Sequence, residues 1–234
     1  MFYKPLGKKC YGSIPHLPNS RLGEGDHHCH EGQSRIATKV RRDKNTIIVV
    51  QEKVDGSNVG VVKLNGEIIP LTRSGYVANT SKYLQHRMFY DWVIKNIDRF
   101  DNLLKEGERA CGEWLVQAHG TKYKLPHEPF VLFDIIKGYE RIIYQELKEM
   151  ADKEGFITPN TIHIGDPLSV KDAMKILEKS SHGALDPVEG AVWRIEKNGK
   201  VECLVKYVRP DKDDGKYFPE NNNGEIIWNE YYGI

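Results

Sequence analysis

The sequence predicts an α+β fold in which antiparallel β-sheets are flanked by helices. Two Asn-Gly pairs, each lying between strand-like segments, indicate hairpins, and hairpins build antiparallel sheet. Helical stretches lie between these segments without the regular strand-helix alternation of a doubly wound parallel sheet. The 234 residues, 39% of them hydrophobic, can bury one core, so we expect one globular domain.

The first 45 residues predict an irregular lead-in with one or two short elements. They are rich in glycine, proline, histidine and charge, and they have little periodicity. From Thr46 the pattern changes, because residues 47–50 form a continuous β-branched run that is typical of a buried strand ending at Gln51-Glu52-Lys53. We therefore expect the main domain to span residues 46–234.

The elements after this strand follow from turn and helix signals. Asn65-Gly66 is predicted to join strands at 59–64 and 67–72, and Asn198-Gly199 to join strands at 191–196 and 201–207, because type I′ turns need positive φ at both central positions. A helical stretch is predicted from the apolar spacing of Phe89, Trp92, Val93, Ile97, Phe100 and Leu104. Further helices are predicted from about Arg141 to Lys153, with Gly155 as the stop, and after Ser169, with Asp172 completing a capping box.

Composition limits the compartment and the partners. The net charge of +1 carries no signal of a polyanionic partner, so any nucleic-acid surface must be a local patch. The four cysteines contain no C-x-x-C pair, no apolar run reaches about 20 residues, and we expect no secretory leader. We expect a monomeric cytoplasmic protein with reduced thiols and no membrane segment.

Lys53 is the first candidate for chemistry, because it stands where a buried strand gives way to a turn. Partial desolvation at such a position lowers the pKa of a lysine and exposes a neutral amine that can attack phosphorus. Asp55 and Gly56 would shape the turn. The same residues also suit a surface strand end followed by an Asp-Gly turn, and this segment alone leaves both interpretations open.

Six short motifs along the chain favour the catalytic interpretation. They are Lys53-Val54-Asp55-Gly56, Arg73-Ser74-Gly75, Gly112-Glu113-Trp114-Leu115, Phe130-Val131-Leu132-Phe133-Asp134-Ile135, Glu189-Gly190-Ala191-Val192 and Leu204-Val205-Lys206-Tyr207. Their order and spacing resemble the covalent nucleotidyltransferase superfamily of ATP-dependent DNA ligases, RNA ligases and mRNA capping enzymes. The resemblance implies an adenylyltransferase domain of ATP-grasp-like fold over residues 46–234.

Within that superfamily the chain resembles RNA ligases of the nick-sealing class. Ser57-Asn58 ends the first motif, whereas DNA ligases and capping enzymes usually carry an arginine two residues after the glycine. The interval of 20 positions from Lys53 to Arg73, and the equal interval from Glu113 to Phe133, also resemble the RNA ligase pattern. Because only 28 residues follow the last motif lysine, we expect no separate C-terminal OB-fold domain.

The resemblance implies an ATP-dependent RNA ligase that uses Mg²⁺ or Mn²⁺. Lys53 would attack the α-phosphate of ATP, release pyrophosphate and hold AMP. The AMP would pass to an RNA 5′-phosphate, and a 3′-hydroxyl would then displace it. The RNA ends would be separate or would lie in a nicked duplex, as in RNA repair, and RNA is favoured over DNA.

The resemblance also implies roles for individual residues. Catalysis would depend on Lys53, Asp55, Glu113, Glu189 and Lys206. Metal would be bound by Glu189 and Glu113. ATP contacts would come from Glu52, Lys53, Arg73, Glu113, Phe133, Glu189 and Lys206, with the Phe133 ring stacked on adenine. RNA contacts would come from Asn58, Arg73, Arg35 and Arg209. The alternative for each is an ordinary strand-end carboxylate, a core phenylalanine or an exposed polar side chain.

Two segments fit the resemblance less well. The last motif commonly carries two lysines one residue apart, whereas here Lys206 stands alone and Arg209 is the candidate for the missing charge. The cluster His27-His28-Cys29-His30 suggests a zinc site, but consecutive residues point in different directions and few of them can bind one ion. A phosphate-contacting or structural loop is favoured there, with Arg35 sharing in phosphate contact.

Two other functions remain as alternatives. The first is a minimal ATP-dependent DNA ligase, which differs in sealing nicks with DNA rather than RNA on the 3′-hydroxyl side. The second is a non-catalytic relative that binds RNA or nucleotide and forms no adduct. The motif lysines and carboxylates disfavour that relative, because a binding protein has no need of an amine beside metal-binding carboxylates.

Overall fold

The computed structural model describes residues 3–231 and has the predicted α+β class with antiparallel sheets. The strands of this part of the chain are β1 (Thr46–Lys53), β2 (Ser57–Leu64), β3 (Glu67–Thr72), β4 (Glu108–Trp114), β5 (Lys124–Leu125), β6 (Phe130–Lys137), β7 (Glu140–Arg141), β8 (Thr161–Gly165), β9 (Gly190–Lys197), β10 (Lys200–Val208) and β11 (Glu230–Tyr231). The α-helices are α1 (Glu31–Thr38), α2 (Leu84–Lys95), α3 (Ile97–Leu103), α4 (Tyr144–Lys153) and α5 (Val170–Ile176). Short 3₁₀ helices occupy Ala78–Thr80 and Pro219–Asn221. None of these helices has the length and apolarity needed to cross a bilayer.

Contacts within the chain divide it into two compact units. The first unit takes in residues 3–12, 56–117 and 128–158, and the second takes in 13–55, 118–127 and 159–231. Each unit is therefore assembled from separate stretches of sequence, and the turn that follows Lys53 passes from the second unit into the first.

The first unit is built on a five-stranded antiparallel sheet in the order β3-β2-β4-β6-β7. The hairpin between β2 and β3 is confirmed, with Asn65 at φ 53° and Gly66 at φ 76°, the positive values that a type I′ turn needs. Helices α2 and α3 contact this sheet through an aromatic cluster. Its members are Phe89, Trp92, Phe100, Trp114, Phe130 and Phe156.

The helical stretch predicted between positions 89 and 104 is two helices, α2 and α3, which meet at Asn96. The Asn96 backbone leaves helical geometry at φ −115° and ψ 24°. Its side-chain amide donates to the Trp92 carbonyl at 2.8 Å, and its Oδ1 atom accepts from Arg99 at 3.1 Å. Asparagine competes in this way with the backbone hydrogen bonds of a continuous helix, which accounts for the break.

The second unit is built on a four-stranded antiparallel sheet in the order β10-β9-β1-β8. The second predicted hairpin is confirmed, with Asn198 at φ 51° and Gly199 at φ 73°. Helices α1 and α5 contact β9, and β5 pairs with β11 in a separate parallel ladder. The buried core of this unit consists of Leu17, Ala37, Ile48, Val50, Ala173, Leu177, Val188, Ala191, Trp193, Ile195 and Val205.

The two remaining helix predictions are confirmed apart from one boundary and the capping box. Helix α4 begins at Tyr144 rather than near Arg141, because Arg141 pairs with β6 as part of β7. Gly155, at φ 70°, follows its end as predicted. At α5, Ser169 Oγ accepts from the Asp172 backbone N–H at 3.1 Å, so the predicted cap is present. The Asp172 carboxylate accepts from the Ser169 hydroxyl at 2.5 Å, so the capping-box part of the prediction is wrong.

Candidate active site

Strand register brings Lys53 beside Glu189. Strands β1 and β9 run antiparallel, and Lys53 at the end of β1 pairs with Gly190 at the start of β9. Glu189 immediately precedes Gly190, and its Oε2 atom accepts a hydrogen bond from Lys53 Nζ at 2.5 Å. The Lys53 side chain is 22% exposed and that of Glu189 is 7% exposed. The Lys53 side chain is therefore partly exposed to water, whereas the carboxylate beside it is almost completely buried.

Gly190 sets how closely β9 approaches β10 at this point. It pairs with Val208, and a Cβ atom on it would overlap the Tyr207 carbonyl oxygen and lie 3.1 Å from Val208 Cα. The Arg209 backbone N–H donates to the Glu189 carbonyl at 3.0 Å, which brings Arg209 next to the site. Only glycine keeps this approach, because any side chain would separate the two strands.

Asp55 is held in place by groups from distant parts of the second unit. Its Oδ2 atom accepts from Lys212 Nζ at 2.7 Å and from the Gly120 backbone N–H at 2.9 Å. Lys212 Nζ also donates to Thr121 Oγ1. The Asp55 backbone N–H donates to the Tyr123 hydroxyl at 3.0 Å. The turn after β1 is thus fixed by the segment that precedes β5 and by the segment that follows β10.

Lys212 is a site residue that the sequence did not single out. It stands in Asp211-Lys212-Asp213-Asp214, a charged run that is typical of an exposed loop. Its side chain is only 3% exposed, and a lysine is almost never buried unless it is paired. Its partner Asp55 is 157 positions away, so no local spacing could have indicated the pair.

Burial and lysine charge act in opposite directions on the two carboxyl groups. Burial raises the pKa of Glu189, and Lys53 offsets this only in part. Burial also acts to raise the pKa of Asp55, but Lys212 and Lys53 outweigh it, so the pKa of Asp55 is lowered. Asp55 is therefore a fixed anion, whereas Glu189 is closer to accepting a proton.

Lys206 contacts the lead-in segment, residues 1–45, through an ion pair and through backbone hydrogen bonds. Its Nζ atom lies 3.7 Å from Asp26 Oδ1, and Asp26 Oδ2 lies 2.9 Å from His16 Nε2. The Lys206 N–H donates to the Pro15 carbonyl at 3.0 Å, and the Leu17 N–H donates to the Lys206 carbonyl at 2.7 Å. Burial lowers the pKa of His16, and the charges of nearby lysines lower it further.

The side chain of Glu52 lies on the face of β1 opposite to that of Lys53, because neighbouring residues of a strand point to opposite faces. Its carboxylate accepts hydrogen bonds from Ser180 Oγ and, at 3.3 Å, from the Ser181 backbone N–H. Burial raises the pKa of Glu52, and these two hydrogen bonds lower it in part. A contact between Glu52 and ATP stays a prediction.

Two predicted site residues are cross-strand neighbours in the first unit. Asn58 of β2 lies opposite Glu113 of β4. Glu113 Oε1 accepts a hydrogen bond from the Gly56 backbone N–H at 3.2 Å. Asn58 Oδ1 is buried, and within residues 3–231 it has no hydrogen-bond partner. A contact between Asn58 and RNA stays a prediction.

Two further predicted site residues, Phe133 and Arg73, also lie in the first unit. Phe133 of β6 is half-buried, and its ring meets that of Tyr11 edge-on with centroids 5.0 Å apart. Arg73 follows β3, where its side chain is exposed and its carbonyl accepts from the Cys10 N–H at 3.0 Å. The contacts of Phe133 with adenine and of Arg73 with phosphate stay predictions.

The donor groups suit a divalent cation that arrives with phosphate rather than one caged by protein. Within the described part of the chain, no group of three or more His, Cys, Asp or Glu side chains could hold a metal ion, and this includes the cluster at 27–30. Magnesium is commonly bound by one or two carboxylates together with substrate phosphates and water. Glu189, a nearly buried oxygen donor, fits that pattern.

Comparison with known proteins identifies one family. A family model described as RNA ligase matches residues 46–208. One curated relative, the uncharacterized protein MJ0414 of Methanocaldococcus jannaschii, is 20% identical over 161 residues, which is 68% of this chain and 37% of that protein. The chain thus spans little more than a third of the curated relative.

Solved structures show the same fold. An archaeal ATP-dependent RNA ligase is similar with a TM-score of 0.53 at 16% identity, over 85% of this chain and 48% of that one. A Naegleria gruberi RNA ligase with PPi gives 0.57 at 12% identity, over 96% and 60% of the two chains. Another form of the Naegleria ligase, a mutant with ATP and Mn, gives 0.53 at 14% identity, over 83% and 59%.

Proposed function

Because the chain belongs to the RNA ligase family, we propose that it is an ATP-dependent RNA ligase that works through a lysyl-AMP intermediate on Lys53. The observation that carries the proposal is the hydrogen-bonded pair of Lys53 and Glu189 where β1 ends and β9 begins. A partly desolvated amine beside a carboxylate is suited to attack on phosphorus once the amine has lost its proton.

In the first step the Lys53 amine forms a bond to the α-phosphorus of ATP. The bond from that phosphorus to the bridging oxygen breaks, and pyrophosphate leaves. The ammonium must first give up a proton, and Glu189 is the acceptor in direct contact with it. Burial raises the pKa of Glu189 in the metal-free protein, which lowers the cost of that transfer, so the transfer precedes any binding of a cation to Glu189. AMP then remains on Lys53 as a phosphoramidate.

Cations support this step by balancing charge at the reacting phosphorus. Lys206 and Arg209 are the candidates, and the Arg209 backbone is joined to Glu189. Lys212 contributes indirectly, because its ammonium is committed to Asp55 and holds the turn that follows Lys53. We infer that Lys212 is a positioning residue rather than a phosphate ligand.

A divalent cation, Mg²⁺ or Mn²⁺, would be held by Glu189 and the phosphates of ATP, with Glu113 as the second predicted carboxylate. When bound, it would neutralise charge on the triphosphate. The Naegleria ligase structure that shares this fold was determined with ATP and Mn.

The later steps follow from the chemistry of the adduct. A 5′-phosphate oxygen of RNA attacks the AMP phosphorus, and the bond to Lys53 breaks. A 3′-hydroxyl then attacks the 5′-phosphorus, a phosphodiester forms and AMP leaves. We propose that Asn58 and Arg73 contact the RNA, and that Phe133 stacks on the adenine.

The first experiment measures the adduct directly. The protein is treated with pyrophosphate to remove any AMP already bound, then incubated with ATP and Mg²⁺, and its intact mass is recorded. We expect the mass of one AMP on the parent protein and none on Lys53→Arg, which keeps the positive charge. Lys200→Ala removes an exposed lysine from β10 and should gain AMP like the parent.

The second experiment measures joining. Nicked duplexes with either RNA or DNA on the 3′-hydroxyl side are incubated with the parent protein and ATP. Sealing of the RNA nick in preference to the DNA nick is expected. Sealing of the DNA nick alone would indicate that the protein acts as a DNA ligase.

The proposal would be rejected by the first experiment if the parent protein, folded and treated with pyrophosphate, took up no AMP.

A further inference from the structure

The second unit contains a polar groove beside α1 that the proposed reaction does not use. The groove encloses about 690 Å³, a volume within the range of ligand sites. Its walls include Asn19, His28, Ser34, Arg35 and Lys39. Donor groups thus predominate among the side chains that line it.

The charged groups of the groove are mainly cations. Arg35 lies in the last turn of α1, and Lys39 is the residue that caps the end of this helix, where its N–H donates to the Arg35 carbonyl. Glu31 is the one carboxylate among the lining residues. A groove of this charge favours an anionic ligand.

Arg35 and Lys39 carry charges that no other group in the described part of the chain neutralises through an ion pair. Within residues 3–231 neither the Arg35 nor the Lys39 side chain has an ion pair or a hydrogen bond. Arg41 and Arg42, which follow the same helix, each pair with a carboxylate, Asp166 and Glu202 respectively. Arg35 and Lys39 are therefore available to a ligand where nearby arginines are not.

Backbone hydrogen bonds connect the groove to the strand that carries Lys206. His16 bridges to Lys206 on one side and to His28 on the other. The Cys29 N–H donates to the His16 carbonyl at 2.7 Å. Two strand spacings, roughly 10 Å, thus separate the His28 backbone from that of Lys206. A chain-like ligand bound at the nucleotidyl-transfer site can extend this far.

We propose that this groove binds the sugar-phosphate backbone of the RNA substrate, with Arg35 and Lys39 on successive phosphates. Both residues line the same groove at the end of α1, so one nucleic-acid strand lying in it can meet both cations. None of the lining residues is a phenylalanine, tyrosine or tryptophan, and two of them are cations. We therefore expect the groove to recognise mainly the phosphate backbone. The inference rests on the proposed function for the identity of the polyanion.

Fluorescence anisotropy with a labelled single-stranded RNA tests the groove. The proteins are Lys53→Ala and the same protein with Arg35→Glu and Lys39→Glu added, measured without ATP. Charge reversal should weaken binding at least tenfold near 0.1 M salt. It should also reduce the slope of log affinity against log salt by about 1.4, the value for two phosphate contacts on a single strand.

Matched controls separate the groove from general charge and from folding. Arg42→Glu reverses an arginine that already has a carboxylate partner, and it should leave RNA affinity within about twofold of the parent. Because Arg35 and Lys39 are exposed, the double variant should keep the parent circular dichroism spectrum and melting temperature. Equal losses in both variants would overturn the assignment of the groove.

The test is independent of adenylylation. If the protein forms no lysyl-AMP but its RNA binding depends on the groove, the ligase proposal is wrong and the groove proposal stands. If the protein forms lysyl-AMP but charge reversal leaves its RNA affinity unchanged, the groove proposal is wrong and the ligase proposal stands. Saturable binding of inorganic phosphate that the double variant abolishes, without an effect on RNA, would assign the groove to a small anion and overturn the proposal.

Discussion

The Nζ atom of Lys53 lies 2.5 Å from Oε2 of Glu189, although 136 positions of sequence separate the two residues. The pairing is imposed by the antiparallel register of β1 and β9, which sets Lys53 opposite Gly190. Burial raises the pKa of the Glu189 carboxyl, so a group able to take the lysine proton stands in contact with the amine. The charge on Glu189 should therefore matter more to the reaction than to the fold.

The variant Glu189→Gln tests this. The amide keeps the shape but cannot accept the proton or bind a cation as an anion does, and we expect the rate of lysyl-AMP formation to fall by about 10²-fold. Stability should change little, because a buried carboxylate is costly to desolvate. Quenched time courses with intact-mass detection, beside a thermal melt, measure both quantities.

The matched control is Glu202→Gln, which changes an exposed carboxylate on β10. It should form lysyl-AMP at the parent rate. A normal rate in Glu189→Gln would mean that another group takes the proton, and the mechanism proposed for the first step would then be wrong.

Local signals in the sequence predicted the elements that carry the site. The β-branched run before Lys53 is a strand, and both Asn-Gly pairs form the predicted hairpins. These features depend on a few neighbouring residues, because backbone conformation and one strand's burial are local properties. The helix break at Asn96 was missed because apolar periodicity continues across it, whereas the break depends on one side-chain amide.

Contacts between distant segments could not be predicted in the same way. The motif resemblance proposed Glu189 for the site, but it gave no indication that Lys212 binds Asp55. That ion pair depends on how the segment after β10 folds back onto the residues before β5. A lysine among three aspartates has the composition of a solvated loop, and only its burial shows otherwise.

Lys212→Met should destabilise the protein by about 3 kcal/mol, because it leaves the carboxylate of Asp55 without its partner in a poorly solvated place. Urea unfolding at pH 7 measures the change in the free energy of unfolding. A double-mutant cycle with Asp55→Asn isolates the pair, and the double variant should lose less stability than the two single losses added together. Additive losses would show that the two residues are not energetically coupled.

Gly190→Ala should lower the free energy of unfolding by about 2 kcal/mol, because a methyl group there overlaps the Tyr207 carbonyl and forces β9 from β10. Lysyl-AMP formation should also slow, since Glu189 moves with the strand. The control is Gly32→Ala in α1, where a Cβ atom meets nothing within 4 Å, and it should stabilise the helix slightly. We expect the urea midpoint of Gly190→Ala below that of the parent and the midpoint of Gly32→Ala above it. A midpoint of Gly190→Ala equal to that of the parent would contradict this explanation.

His182 should make the protein less stable in mild acid. Its ring is buried, its Nε2 atom accepts from the Asn160 N–H at 3.2 Å, and its Nδ1 atom lies 2.8 Å from His127 Nε2. Nδ1 must then carry the proton and donate to His127, so protonation of Nε2 would set two donors against each other. Burial, and to a smaller extent His127, lowers the pKa of His182 to about 4.

The folded-state pKa of His182 lies below the unfolded value of about 6.5, so the unfolded chain takes up the proton first as pH falls. The contribution of neutral His182 to the free energy of unfolding is complete above pH 6.5 and declines between pH 6.5 and 4. At pH 4 the protein should have lost about 3 kcal/mol of stability through this group. Urea midpoints of the parent and of His182→Gln at pH 7, 5 and 4 test this window. Glutamine offers a donor and an acceptor but does not titrate, so the parent should lose more stability across the range than the variant. His27→Gln removes an exposed histidine and should follow the parent, and equal pH dependence in all three proteins would mean that His182 is not the group responsible.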